Sequence, residues 1–204
     1  LLFSATLDKA VDSIVCSYLD NPFVYEVPGE DEDTSNINHR VLTLEPSERS
    51  AVLHRLVQGE GRSIIFVRTR VTAERLSESL TENGVPAARL HGDLNQAQRN
   101  RNLERFSKGS ARVMVATDVA ARGIHVDDVK MVIQLDLPEE YKTYLHRAGR
   151  TGRAGRHGEM ISLVPAGRER KMRDLLGRAE RKAEFFAVDS NSELLAELAG
   201  PIAP

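Results

Sequence analysis

The sequence predicts an α/β protein, a parallel β-sheet with helices on both faces. Three observations carry that expectation. Four short apolar runs, Ile64-Ile65-Phe66-Val67, Val113-Met114-Val115-Ala116, Met131-Val132-Ile133 and Met160-Ile161-Ser162-Leu163-Val164, are continuous rather than alternating, as strands buried on both faces are. Segments with helical spacing lie between them. Glycines or Asn-Gly stand where those segments stop. Strands alternating with helices then build one sheet through right-handed crossovers.

Taken in order, Leu1 to Phe3 reads as the end of a strand. A helix burying Val11, Ile14, Val15 and Tyr18 follows, then a strand "FVYEV". "PGEDEDTSN", Pro28 to Asn36, is acidic and turn-rich and reads as a linker. From Ser47 to Gln58, Val52, Leu53, Leu56 and Val57 share one helical face, and Gly59 and Gly61 follow as stops. Thr69 is placed to cap a helix that buries Ala73, Leu76 and Leu80 and ends at Asn83-Gly84. Asn95 is placed to cap the next, with Leu103 and Phe106 inward and Gly109 at its end. Asp118 stands where a cap would sit after the second apolar run. The chain then divides into 1–27, a linker 28–36, a main domain 37–166, a basic helix 167–188 with Met172, Leu175, Leu176 and Ala179 as its stripe, and an acidic tail 189–204 with one loose turn or none.

Composition excludes several classes. The chain has 204 residues, a net charge of −2 and one cysteine, Cys16. It is long enough for a real core, it is not a basic nucleic-acid coat, and it has no internal disulfide framework or cysteine-based metal cluster. A single cysteine fits a reducing, cytoplasmic setting. No apolar run is long enough to span a bilayer, so no membrane partner is expected. The chain opens "LLFSAT", without methionine and inside an apolar run, and reads as a piece of a longer protein.

Against that neutral background, "YLHRAGRTGRAGR" places arginine at Arg147, Arg150, Arg153 and Arg156, with glycine at Gly149, Gly152 and Gly155. Three Gly-X-Y units without proline do not make a triple helix. The stretch lies between a helical pattern, "EEYKTYL", and the strand "EMISLV", so it belongs inside the fold rather than on a basic arm. Arginine forks match phosphate oxygens, and glycine lets backbone turn tightly and come close to a ligand. The physical reading is a loop that delivers guanidinium groups to a polyphosphate. "VMVATDVAARGIHV" runs off the end of a buried strand, where open parallel sheets bind ligands. Gln96 and Arg99 share one face at the start of a helix.

"FSAT" (Phe3 to Thr6), "SIIFVRTR" (Ser63 to Arg70), "LHGDLNQAQR" (Leu90 to Arg99), "VATDVAARGI" (Val115 to Ile124) and "HRAGRTGRAGR" (His146 to Arg156) occur in the order and spacing of DEAD-box RNA helicases. The chain resembles the C-terminal RecA-like domain of that family from Ile37 to Pro165. Its first residues resemble the last motif of the N-terminal RecA-like domain. The resemblance implies an ATP-dependent RNA helicase that works with ATP and Mg²⁺, the metal ligands lying on the N-terminal domain. It implies that Arg147 and Arg150 reach the terminal phosphate of ATP held on that other domain, Arg150 as arginine finger, with Arg153 in the same network. It implies that Gly92, Gln96, Arg99 and Thr117 hold the RNA backbone, that Phe66 and Thr69 open the RNA face, and that Ser4 and Thr6 couple hydrolysis to strand separation.

Two features depart from the family. Where an aspartate that binds the ATP ribose is usual, this chain has His125, which carries no fixed negative charge near neutral pH. No "GxxxxGK[ST]" loop and no Asp-Glu-Ala-Asp sequence occur in the chain, so this stretch by itself is expected not to hydrolyse ATP. Two other readings remain open at this level: the C-terminal lobe of a DNA-directed superfamily 2 motor, and a non-catalytic RNA- or protein-binding module. Stimulation by RNA against DNA separates the first, and a phosphate loop in upstream coding sequence separates the second. The basic helix reads as a solvated face, with an extended RNA surface as the alternative. Residues 1–27 carry Leu1, Leu2, Phe3, Val11, Ile14, Val15, Phe23 and Val24. They bury too little to form a core alone and are expected to be mobile or to dock on a second copy.

Overall fold

The four apolar runs become the centre of a seven-stranded sheet in the computed structural model, which describes residues 15–20, 22–23, 36–121, 129–153 and 155–203. The strands are β1 (Ile37–Leu44), β2 (Arg62–Phe66), β3 (Ala87–Leu90), β4 (Val113–Ala116), β5 (Val129–Gln134), β6 (Gly158–Pro165) and β7 (Glu184–Ala187). They lie in the order β3-β4-β2-β5-β6-β1-β7, and every pairing is parallel. The predicted parallel α/β sheet is therefore the observed one.

Alternate side chains of the central strands feed two cores. Ile64, Phe66, Met114, Ala116 and Val132 point to one face. There they meet α3 (Gln96–Ser107), α4 (Asp118–Ala121), α5 (Tyr141–Ala148) and α6 (Glu169–Arg178) through Phe106, Ala120, Tyr144 and Met172. Ile65, Val67, Val113, Val115 and Ile133 point to the other face. They pack on α1 (Arg49–Val57), α2 (Arg70–Glu82) and α7 (Glu193–Ala199) through Val52, Leu56, Ala73, Leu80 and Leu195. Burial on both faces is why the strands read as unbroken apolar runs.

The predicted caps form. Thr69 accepts a hydrogen bond from Thr72 N and starts α2. Asn95 and Gln98 make a reciprocal capping box at α3. Gly84 and Gly109 follow their helices with φ of 81° and 79°, the left-handed conformation that favours glycine.

The region after β6 differs from expectation. The basic helix ends at Arg178 rather than running to 188, and the chain returns as β7 on the sheet edge. Phe185 of β7 lies under the Arg173 guanidinium at 3.8 Å. The acidic tail is not loose. Leu195, Leu198 and Ala199 of α7 are buried, Lys130 Nζ donates to Ala199 O at 2.6 Å, and Glu60 N donates to Pro201 O at 2.8 Å. Gly59 admits this approach, since a Cβ there would stand 1.9 Å from Ala199 O.

The chain divides into two units, Leu1–Asp31 and Glu32–Pro204. Of the first, residues 15–18 are helical, but Tyr18, expected on a buried stripe, is 83% exposed. The other elements expected in 1–36 lie outside the described residues.

Candidate nucleic-acid and phosphate site

The carboxyl ends of neighbouring strands β3, β4 and β2 bring together five of the residues singled out in the sequence. Thr69 leaves β2 as the cap of α2. The Arg70–Asp93 ion pair ties that turn to the loop after β3, where Gly92 is exposed with open space where a Cβ would stand. Gln96 and Arg99 occupy the first turn of α3, and Gln96 Nε2 donates to Asn100 Oδ1 at 2.8 Å. Arg99 Nη2 donates to Ala120 O at 2.7 Å. Thr117 directly follows β4, its amide donating to Leu90 O at 3.0 Å. Polar groups and the guanidinium groups of Arg70 and Arg99 thus lie at one edge, the place where open parallel sheets take ligands. Phe66 does not belong there. Its side chain is 2% exposed and packs in the core, at the end of β2.

The arginine loop splits into one inward side chain and three on an outer surface. Arg147 is 3% exposed. Its Nε and Nη2 donate to the two oxygens of Asp118 at 2.7 and 2.8 Å, and its Nη1 donates to Gln134 Oε1 at 3.0 Å and Asp136 O at 2.7 Å. Four of the five N–H donors of a guanidinium are thereby engaged. The group lies over the Phe66 ring at 5.0 Å. Such a side chain holds the fold, with its fork turned to protein acceptors. Asp118 is likewise not a lone cap: it is the first residue of α4 and the counter-charge of Arg147.

Arg150 and Arg153 are half-buried and Arg156 is exposed. Arg150 Nε donates to His146 O at 3.3 Å and Arg153 Nε to Gly149 O at 2.8 Å. All three arginines line a cleft of about 400 Å³ with Lys130, His157 and a single carboxylate, Glu60. Lys130, His157 and Arg156 were not among the predicted site residues. Lys130 is half-buried on a strand that reads as core, its Nζ turned to the carbonyls of Ala199 and Glu60, so only the sheet register could have revealed it. The tight turns expected of the glycines are present at Gly152 and Gly155, both with positive φ. Gly152 has φ 69°, and a Cβ there would stand 2.5 Å from Ile37 Cγ1. The close approach it permits is to the protein's own β1. Thr151 pins the same loop by donating to Lys130 O at 3.1 Å.

One buried titratable pair anchors the helix that leads into the loop. His39 Nδ1 of β1 meets Tyr144 Oη of α5 at 2.6 Å. Burial, with the positive charge of Arg181, lowers the His39 pKa to about 4, and burial raises that of Tyr144. Among the described residues, no three His, Cys, Asp or Glu side chains are grouped to hold a metal ion. Ser4, Thr6 and His125 lie outside the described residues.

Comparison with known proteins agrees with this geometry. The family model described as the helicase conserved C-terminal domain matches residues 48–155. The ATP-dependent RNA helicase DbpA of Bacillus subtilis (strain 168) is 38% identical over 177 residues, 86% of this chain and 37% of that protein. The ATP-dependent rRNA helicase RRP3 of Scheffersomyces stipitis is 41% identical over 80% of this chain and 34% of its own length. The chain therefore spans about a third of these relatives. Among solved structures, the E. coli DEAD-box protein SrmB, bound to the regulator of ribonuclease activity A, is 37% identical with a TM-score of 0.66, covering 78% of this chain and 93% of that one. S. cerevisiae Dbp5 bound to RNA and ADP BeF3 is 30% identical with a TM-score of 0.72, covering 97% of this chain and 54% of that one. With a family model matching more than half of the chain and a solved DEAD-box relative covered over 93% of its length, the chain belongs to the DEAD-box helicase family and carries its conserved C-terminal domain.

Proposed function

We propose that this chain is the C-terminal half of an ATP-dependent RNA helicase. Gly92, Gln96, Arg99 and Thr117 hold the sugar-phosphate backbone of single-stranded RNA, and Thr69 borders that surface. Arg150 is the arginine finger to ATP held with Mg²⁺ on an N-terminal RecA-like domain, and Arg153 shares its network. Arg147 positions the loop instead of touching phosphate. One observation carries the reading: three of the four spaced arginines line one basic cleft, while the fourth is bonded inward to the turn that ends at the polar carboxyl edge. The Dbp5 relative bound to RNA and ADP BeF3 supports an RNA ligand over DNA.

Chemically, the chain supplies charge and position. A guanidinium brought to the terminal phosphoryl group stabilises the negative charge of the transition state, and such fingers contribute about 10³ to 10⁵ in rate. The test is hydrolysis by the intact protein that contains this chain, with RNA or single-stranded DNA, as native protein and as Arg150→Ala. The expected result is stimulation by RNA alone and a loss of about 10³ or more in the variant. Equal stimulation by DNA would point to a DNA-directed motor, and full activity in Arg150→Ala would remove the finger.

A further inference from the structure

We propose that Lys130 is a further phosphate-binding residue of the arginine cleft, added to Arg150 and Arg153 and aimed there by a bulge in β5. This rests on the functional reading above, in which Arg150 meets the phosphates of a nucleotide.

The backbone places the side chain. Arg62 of β2 stands opposite Val129 and Ser63 opposite Met131, so Lys130 is the extra residue of a bulge. A bulge re-aims a side chain out of the regular alternation, and such kinks gather beside functional sites. The same kink offers Lys130 O to the arginine loop, where Thr151, the residue after Arg150, donates to it at 3.1 Å. Lys130 and Arg150 therefore start from adjoining backbone, and both line the cleft of about 400 Å³.

Two glycines clear the path of the side chain. A Cβ at Gly61 would stand 2.9 Å from Lys130 Cδ, and one at Gly200 would stand 2.9 Å from Nζ. The ammonium rests on neutral acceptors, Ala199 O at 2.6 Å and Glu60 O at 3.4 Å. Among the described residues it has no carboxylate partner. A cation suits the carboxyl end of α7, so anchoring that end accounts for the resting contact. Anchoring alone does not account for a kink in a central strand that brings a fourth cation beside Arg150, Arg153 and Arg156, where like charges repel. An anion in the cleft removes that penalty.

The resting contact is also dispensable to the tail. Glu60 N still donates to Pro201 O at 2.8 Å and Ala203 N to Gln58 O at 3.0 Å. A phosphate oxygen carries charge and attracts an ammonium more strongly than a neutral carbonyl does. Lys130 exchanges Ala199 O for phosphate when a nucleotide is presented, and the tail stays in place.

The test adds inorganic tripolyphosphate to this chain and follows the Lys130 Hε–Cε and Arg150 Nε–Hε resonances. In the native chain both are expected to shift along one saturation curve. Lys130→Gln keeps a donor for Ala199 O and removes the charge. Its affinity should fall about tenfold, as the loss of one good charged hydrogen bond implies. Lys130→Arg keeps the charge and should stay within about threefold of native. Lys142→Met removes the same charge from α5, outside the cleft lining, and should change affinity by less than about twofold. Native affinity in a folded Lys130→Gln would overturn the proposal. So would a fall in Lys142→Met equal to that in Lys130→Gln, which reduces the effect to net charge. If Lys130→Gln does not fold, the native chain decides: an Arg150 shift with Lys130 silent overturns the proposal and leaves the finger intact. A Lys130 shift with Arg150 silent would instead defeat the finger. A chain that binds no tripolyphosphate removes Lys130 as a phosphate residue, while hydrolysis in Arg150→Ala still judges the finger.

Discussion

Arg99 on the carboxyl edge and Arg147 in the arginine loop both bond backbone carbonyls, yet only one is closed in. Arg99 sits half-buried in the first turn of α3 and bonds the backbone at Ala120 O. Arg147 is surrounded by a carboxylate, an amide, a carbonyl and an aromatic ring. The same residue type therefore stays at the outer edge in one place and serves internal architecture in the other. What separates the two is the set of acceptors that the sheet register delivers: Gln134 ends β5, Asp136 follows it and Asp118 follows β4, and those strands flank β2.

The comparison breaks most visibly under truncation. Arg147→Ala leaves Asp118, Gln134 and Asp136 without their shared donor, and removing one member of a buried pair costs about 3 kcal/mol or more. Arg150→Ala, on the cleft surface, should cost less than about 0.5 kcal/mol. Urea unfolding of this chain measures both. Equal losses would mean that Arg147 is no more structural than its neighbour.

A second effect of similar size depends on pH. His39, held beside Tyr144 on the helix that leads to the loop, has its pKa lowered from 6.5 to about 4 in the folded chain. The unfolded chain therefore takes up a proton first as pH falls. Stability is fully present above pH 6.5, is lost as pH drops from 6.5 toward 4, and levels off below that. The total loss is on the order of 3 kcal/mol. His39→Gln should flatten the dependence of the urea midpoint on pH in that window. An unchanged slope in the variant would assign the effect to other groups.

Smaller effects sharpen the view of the loop. Gly152 and Gly155 both have positive φ, 69° and 73°, but only Gly152 faces a neighbour, Ile37. Alanine at Gly155 should cost about 1 kcal/mol for the left-handed backbone. Alanine at Gly152 should cost about 2 kcal/mol or more, because Ile37 must also move. Equal costs by thermal unfolding would mean that Ile37 gives way freely.

These differences also mark what was legible in the sequence. The central strands and the caps at Thr69 and Asn95 could be read because each depends on local residues: an apolar run, or an oxygen three residues before its amide. β1 was harder, since Asn38 and Arg40 break its apolar pattern. Both are satisfied by Glu159, a partner 121 and 119 residues away. Strand β7 and helix α7 were obscured by charge, although Leu194, Leu195 and Leu198 carried helical spacing through the acidic tail. The residues that the fold gathers at the carboxyl edge, Thr69, Gly92, Gln96, Arg99 and Thr117, were legible as positions at strand ends and a helix start. The division within the arginine loop was not, because nothing local distinguishes Arg147 from Arg150. Only the strand order places Asp118 and Gln134 around the first.

The central claim is that the two regions have separate tasks, the carboxyl edge for RNA and the arginine loop for nucleotide. The salt dependence of single-stranded RNA binding by this chain tests it most directly, with Arg99→Ala and Arg150→Ala measured beside the native protein. Each lost phosphate contact flattens the log–log slope by about 0.7. The account predicts that Arg99→Ala loses about one such step and that Arg150→Ala keeps the native slope and affinity. An equal loss in both variants, or a loss in Arg150→Ala alone, would contradict it.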